Sequence, residues 1–312
     1  MLKKNVSDAI SRIKLSKGSV GTVDLGSIEV RINDGSNMFA AGDEFTFPDT
    51  MEKVKELTFE RTFGTTKAYG ILVFLAIYLF AYLFGFFGSY FVTNVFLRLL
   101  LWDVLSTLGI WFFSLLLKNS SLYDAYWSLT PFIFCVFLAV LYWPLDLYRW
   151  VFVCCFSFWS WRLTIHWMVT FGGIHWEDWR YQSYRKNNPP WLWHLINLFG
   201  IQLMPTLLVY LAFLPVVVFL SSSASWTSLL GSALSLTGAL LELFADYHLT
   251  CFLKDTASLS IRPVCQKGLW RYSRHPNYLG EILLWAGAYL AMMTSARDSW
   301  YYGLGALLIL PL

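Results

Sequence analysis

The feature that most constrains this chain is a recurrence of apolar runs each about 20 residues long, the length a helix rising 1.5 Å per residue needs to cross a hydrocarbon core about 30 Å thick. Such runs lie near residues 68–88, 92–117, 130–146, 150–170, 194–220, 227–253, 281–296 and 299–312. Helices satisfy their backbone polar groups internally, so the pattern predicts an all-α, polytopic transmembrane helical bundle of about seven to eight spans. Composition agrees: 57% of residues are hydrophobic and 14% charged, which leaves too little charge for a soluble surface. The bilayer is the expected partner. A formal net charge of +3 whose basic residues sit in particular loops speaks for membrane orientation and against nucleic acid.

Two parts follow from the same reading, a mixed, charged N-terminal cytosolic segment over residues 1–66 and a transmembrane domain over 67–312. The first part alternates apolar positions from Val20 to Ile32 and has a turn signal at Asn33-Asp34-Gly35, so a small hairpin or partly ordered segment is expected. No apolar stretch near Met1 suggests a cleavable signal peptide. The run at 299–312 reaches Leu312 without a polar flank, the pattern of a truncated or atypical C-terminus. Five cysteines without CxxC pairs or Cys/His ligand spacing predict neither a disulfide framework nor a zinc site.

Lysine and arginine in short loops set the expected orientation. With the N-terminus cytosolic, the inner loops carry Lys118, then Arg180, Arg185 and Lys186, then Lys254, Arg262, Lys267, Arg271 and Arg274, against Arg149 and Arg297 outside. The sequon Asn119-Ser120-Ser121 then faces the cytosol and is expected to stay unglycosylated. Pro205 and Pro215 predict kinks in the fifth span.

Charge within a span costs about 2.5–3.5 kcal/mol per residue on insertion scales, so an ionisable residue there is a functional candidate. Glu242 and Asp246, four apart in the sixth span, share a helix face. The following loop supplies Lys254, Arg262, Lys267, Arg271 and Arg274 as cations, either for a ligand pocket or for a structural carboxylate–arginine network. Pro276 suits the first turn of a helix, which places Arg271, Arg274 and His275 around a helix N-terminus that favours anions. Asn277 can hydrogen-bond an amide or a ribose, Tyr278 can stack or donate, and Glu281 lies one turn deeper. Simple snorkelling of the arginines to lipid phosphates is the competing reading. Arg162, in the fourth span, calls for a carboxylate such as Asp246 or Glu281. Glu177, Asp178, Arg180 and Tyr181 form a loop cluster that either closes over a ligand or satisfies itself.

The string RYSRHPNYLGE at 271–281, with Trp285 and Gly287 downstream, resembles the C-terminal signature shared by membrane steroid 5-alpha-reductases, sterol C14 reductases and isoprenylcysteine carboxyl methyltransferases. The nearest likeness is to the DUF1295 branch of the steroid 5-alpha-reductase-like group. It covers roughly residues 100–296 and is supported by SSLYDAYW at 120–127, WRL at 161–163 with EDWRY at 177–181, and ELFADYH at 242–248.

The resemblance implies an NADPH-dependent reductase of an activated double bond in a lipophilic substrate, with hydride delivered to the beta carbon of an enone and a proton to the alpha carbon. It places cofactor binding on Glu242, Asp246, Asn277 and Tyr278, on Lys254 and Arg271 of the basic loop, and on Arg274 and His275 through the sterol C14 reductase form of the signature. Two departures stand out: Glu242 replaces an asparagine of the 5-alpha-reductases, and Trp159 replaces the tyrosine they use near the steroid ketone. Indole has no acidic proton to give. Catalytic candidates are therefore Tyr126, which can polarise a carbonyl, Asp124, which can orient it or relay a proton, and Glu281. Asp124 as a helix cap and Tyr126-Trp127 as an interfacial anchor is the alternative reading. Rival functions are an S-adenosylmethionine-dependent lipid or isoprenylcysteine methyltransferase and a non-enzymatic lipid-binding scaffold. The resemblance also implies an endoplasmic reticulum membrane.

Overall fold

In the computed structural model, the described residues are 67–256 and 263–307. The expected hairpin near Val20–Ile32, Arg262 and residues 308–312 of the eighth run lie outside them. The described chain is helical, without strands among the described residues. The helices are α1 (Lys67–Gly88), α2 (Val95–Leu117), α3 (Tyr126–Leu141), α4 (Leu147–Thr170), α5 (Trp179–Asn187), α6 (Pro190–Ser221), α7 (Leu229–Asp255), α8 (Pro276–Ser295) and the short α9 (Leu304–Leu307).

Among the described residues, five segments are long and apolar enough to cross a membrane: α1, α2, Ser120–Leu141, α6 and Trp226–Asp255. The chain is therefore an all-helical membrane protein. Helices α4 and α8, of 24 and 20 residues, are long enough but less apolar, because they carry Arg162 and Glu281 into the bundle. The third element begins and ends earlier than the run at 130–146 suggests. Pro144 cannot continue a helix, and Asp146 instead caps α4 by accepting from the Arg149 backbone N–H at 2.9 Å.

Contacts at the helix ends fix which loops share a face. At one end Arg185 Nη1 donates to the Lys118 carbonyl at 2.8 Å, and Asn119 Nδ2 donates to the carbonyls of Ile174 (2.7 Å) and Trp176 (2.9 Å). At the other, Arg149 Nη1 donates to the Leu220 carbonyl at 3.0 Å. Two of the three loops assigned to one side by their lysines and arginines, those at Lys118 and at Arg180–Lys186, thus meet at one end of the bundle.

Helix α6 is α-helical, then π-helical over Ile196–Leu203, then α-helical again from Met204. The wider π turn brings Asn197 and Gln202, five apart, to one face, where Gln202 Nε2 donates to Asn197 Oδ1 at 3.0 Å and both amides reach Ser114 on α2. The irregularity stands immediately before Pro205.

Helices α7 and α8 pack along a seam of small residues, the arrangement that lets backbones approach closely in lipid. A Cβ at Gly280 would sit 2.7 Å from the Gly238 carbonyl oxygen, and one at Gly287 would sit 2.6 Å from that of Gly231, so neither position admits a side chain without separating the helices. Ser235 Oγ donates to the Leu284 carbonyl across the seam at 2.9 Å.

Candidate functional site

That close seam brings Glu242 on α7 near Glu281 on α8, and α4, which packs on α7, adds Arg162 and Trp159 to the same place. Arg162 is 6% exposed and Glu242 3% exposed. Arg162 Nη1 donates to Asp246 Oδ2 at 2.6 Å, and Nη2 donates to Glu242 Oε2. The four-residue spacing thus puts both carboxylates under one guanidinium, and Asp246 is one of the two partners the sequence nominated. Glu281 accepts from two indoles, Trp285 Nε1 at 2.8 Å and Trp159 Nε1 at 3.0 Å. Trp159 therefore orients a carboxyl group. Glu242 Oε1 has no hydrogen-bond donor among the described residues, and the Glu242 side chain packs against Gly280, next to Glu281. Arg162 thus pairs with two carboxylates, and Glu281, held by two indoles, stands beside them without an ion pair among the described residues, an excess of acid that a proton or a bound cation would balance.

Toward the helix ends, the turn Gly268–Arg271 folds back on α7: Trp270 Nε1 donates to the Ala245 carbonyl at 2.9 Å. Gly268 has φ +54° and packs against the His248 ring, where a Cβ would collide, so this bend requires glycine on both counts. Helix α8 begins at Pro276, as the proline predicts, with His275 at its N-cap. The His275 ring stacks on Tyr278 with centroids 5.0 Å apart. Lys254, Arg271 and Arg274 are exposed and form no ion pair among the described residues, whereas Lys267 pairs with Asp255 at 2.5 Å. Two buried polar atoms here lack partners among the described residues, Asn277 Oδ1 and His248 Nδ1. Asn277 stands one turn above Glu281 on the same helix face.

The other catalytic candidates lie in a separate cluster. Tyr126 is 1% exposed, stacks on Tyr82 at 5.3 Å, and donates its hydroxyl to Asp103 Oδ1 at 2.7 Å. Asp124 accepts from the Tyr181 hydroxyl at 3.0 Å. The partner of Tyr126 is thus Asp103 on α2, which sequence reasoning passed over although it is the sole acid in the run 92–117. Tyr126 faces α1 and α2, while its neighbour Trp127 faces α4, with its ring 6.3 Å from that of Trp159. The two clusters flank α3, and this pair of indoles stands between them.

The loop cluster satisfies itself against the α2–α3 connection. Glu177 Oε1 accepts from the Ser120 N–H at 2.7 Å and from Arg185 Nη2 at 2.8 Å, and Arg180 grips Asp178 at 2.9 and 3.0 Å. At Glu177 burial prevails over these partners and holds the carboxyl above its ordinary range. At Asp178 burial also pushes upward, but the bonds and charge of Arg180 outweigh it and leave the carboxyl below that range. An apolar cavity of about 270 Å³, lined by Ile282, Trp285, Tyr289, Trp300 and Leu304 among others, shares the Trp285 wall with Glu281.

Comparison with known proteins gives a family and one distant relative. The family described as "Protein of unknown function (DUF1295)" matches residues 110–312. An uncharacterized protein of Schizosaccharomyces pombe, C594.04c, is 29% identical over 231 residues, spanning 64% of this chain and 64% of its own length. No solved structure matches the chain.

Proposed function

This chain belongs to the DUF1295 family, and on that footing we propose that it is an NADPH-dependent membrane reductase of an activated carbon–carbon double bond in a lipophilic, steroid-like or other lipid, substrate. The observation that carries the reading is the buried Tyr126–Asp103 pair. Reduction of a polarised double bond consumes one proton for each hydride, and a phenol held by a carboxyl group in an apolar core is a proton donor kept from water. Methyl transfer to a carboxylate needs no such acid.

The residues around the start of α8 fit a phosphorylated cofactor. Arg271 and Arg274 are exposed and unpaired among the described residues, suited to phosphates, and the orphaned Asn277 Oδ1 has an acceptor to offer an amide or a ribose hydroxyl. His275 and Tyr278 present a stacked aromatic surface beside them. NADPH supplies the hydride when bound. Arg162 holds Glu242 and Asp246 in one orientation, and Glu281 is fixed by two indoles, so the floor below Asn277 is rigid. For Tyr126 to serve, the substrate carbonyl would pass between the two clusters beside Trp127 and Trp159 to reach its hydroxyl, which would release its proton as charge develops on the oxygen. The apolar cavity beside Trp285 suits a hydrocarbon portion of the substrate. The membrane would be that of the endoplasmic reticulum, with the N-terminus and the α2–α3 and α4–α5 loops on the cytosolic side.

One observation favours a second reading. Three carboxyl groups against one guanidinium would welcome a cation such as the sulfonium of S-adenosylmethionine, which would make the chain a lipid methyltransferase. NADPH consumption by the purified protein with a steroidal 4-en-3-one, followed at 340 nm in the wild type and in Tyr126→Phe, tests the reductase reading. Enone-dependent consumption falling by about two orders of magnitude in Tyr126→Phe supports it, and undiminished consumption in that variant removes Tyr126 as the donor.

A further inference from the structure

At the end of the bundle away from Lys118, α2 carries a cation with no counterion among the described residues. Arg98, the fourth residue of α2, sets its guanidinium among three aromatic rings. Its Cζ lies 5.3 Å from the ring centre of Phe86 near the end of α1, 5.7 Å from that of Tyr90 in the α1–α2 turn, and 5.0 Å from that of Phe137 on α3. The rings also pack on one another: Phe86 lies 6.4 Å from both Tyr90 and Phe137, and Trp102, one turn further along α2, lies 5.1 Å from Phe86 and 5.4 Å from Phe137. Arg98 Nε is buried without a hydrogen-bond partner, and no ion pair or hydrogen bond engages the rest of the guanidinium among the described residues. The sole acid on α1, α2 and α3 is Asp103, deeper in the bundle, which accepts from Tyr126 instead.

Ring faces offset part of the charge of a guanidinium but accept none of its N–H donors in the plane where they point. A side chain clamped in this way does not reach out for an acceptor as a snorkelling arginine does, so the acceptor has to come to it. Helix α2 is 23 residues long, close to the length that spans a hydrocarbon core, so Arg98, about 5 Å inside its start, lies near the boundary between lipid chains and headgroups. Beside the rings, Tyr90, Phe91 and Val140 expose apolar surface along which acyl chains can lie. The geometry points to a binding site for an anionic glycerophospholipid in the leaflet at this end of the bundle, with its phosphate on the Arg98 guanidinium and its chains against these side chains. The planar guanidinium meets two phosphate oxygens at once, and the rings hold that plane before the lipid arrives. A zwitterionic lipid brings its own ammonium group and leaves the charge of Arg98 in excess, so an anionic headgroup binds better. The site goes beyond the reductase reading and does not depend on it, since α8 begins at the opposite end of the bundle. Ring-to-cation contacts that merely tie α1, α2 and α3 together would use the same residues, so the test must read lipid.

Native mass spectrometry of the full-length protein, purified in detergent, freed of co-purifying lipid and titrated with phosphatidic acid, reads the affinity for the first lipid bound. Arg98→Gln should weaken that affinity by about tenfold or more, and Arg98→Lys, which keeps the charge but not the planar fork, by a smaller factor. Arg297→Gln, which removes an exposed arginine at the same end of the bundle, should leave it unchanged. Phosphatidylcholine should bind the wild type more weakly than phosphatidic acid, and inorganic phosphate should not displace the bound lipid. In the wild-type protein, where no substitution can disturb the fold, phosphatidic acid carrying a photoreactive acyl chain should cross-link to the peptides that contain Phe91 or Val140. Equal affinity in the wild type and a folded Arg98→Gln, an equal loss in Arg297→Gln, displacement by inorganic phosphate, or cross-links confined to other helices overturns the lipid site.

Discussion

Asn277 separates a ligand-binding role from a structural one at the level of a single atom. Its Oδ1 is buried and makes no hydrogen bond within the described protein, so truncation removes a desolvated group that contributes nothing to the fold. Asn277→Ala should therefore leave thermal stability within about 0.5 kcal/mol of wild type, while lowering NADPH affinity by about tenfold through the loss of one ligand hydrogen bond. Parallel differential scanning and NADPH titration read both. A large loss of stability would assign Asn277 to the fold instead. Residue-level legibility varied for physical reasons. The Glu242–Asp246 face was readable because helical period puts residues four apart side by side, and a buried cation in α4 demanded a carboxylate. Asp103 was missed because its partner, Tyr126, lies on another helix and no local spacing joins them. Its isolation in an apolar run was the available signal.

At the scale of the helix, the α7–α8 seam determines whether Glu242 and Glu281 meet. Gly287→Val inserts a branched side chain where a single Cβ already overlaps the Ser235 backbone. The expected cost is about 3 kcal/mol or more, beyond ordinary overpacking because backbone on both sides must move. The yield of monodisperse protein and the unfolding temperature should both fall, whereas Gly200→Ala, in open surroundings on α6, should leave both unchanged. Equal behaviour of the two variants would mean the seam is looser than described. Pro276 announced the start of α8, and apolar run length announced most of the other helices. The π-helical stretch Ile196–Leu203 was not legible, because nothing in INLFGIQL distinguishes five-residue from four-residue pairing until Ser114 of another helix is in place. The end of α3 at Leu141 similarly yields to Pro144, against the hydropathy of the run.

For the whole molecule, sidedness is the property that decides whether a water-soluble cofactor can reach the start of α8. The contacts Lys118–Arg185 and Arg149–Leu220 lie at opposite ends of the bundle. On a background lacking the five native cysteines, Lys118→Cys and Lys186→Cys should react with an impermeant maleimide from the cytosolic side, and Arg149→Cys from the other side. Labelling of Lys118→Cys and Arg149→Cys from one side would contradict the bundle's topology. Asn119, whose side-chain amide is engaged by the Ile174 and Trp176 carbonyls, should remain unglycosylated in the same preparations. Hydropathy and loop charge made the membrane bundle legible, while the division of the candidate residues into clusters on either side of α3 required the packed structure.

Cofactor identity is the most direct test, since the reductase and methyltransferase readings share the fold, the signature and the carboxylate–arginine cluster. Purified wild-type protein titrated calorimetrically with NADPH, and separately with S-adenosylmethionine, should bind NADPH and not S-adenosylmethionine, with NADPH binding abolished in Asp246→Ala. Binding of S-adenosylmethionine alone, or of neither compound, would contradict the account.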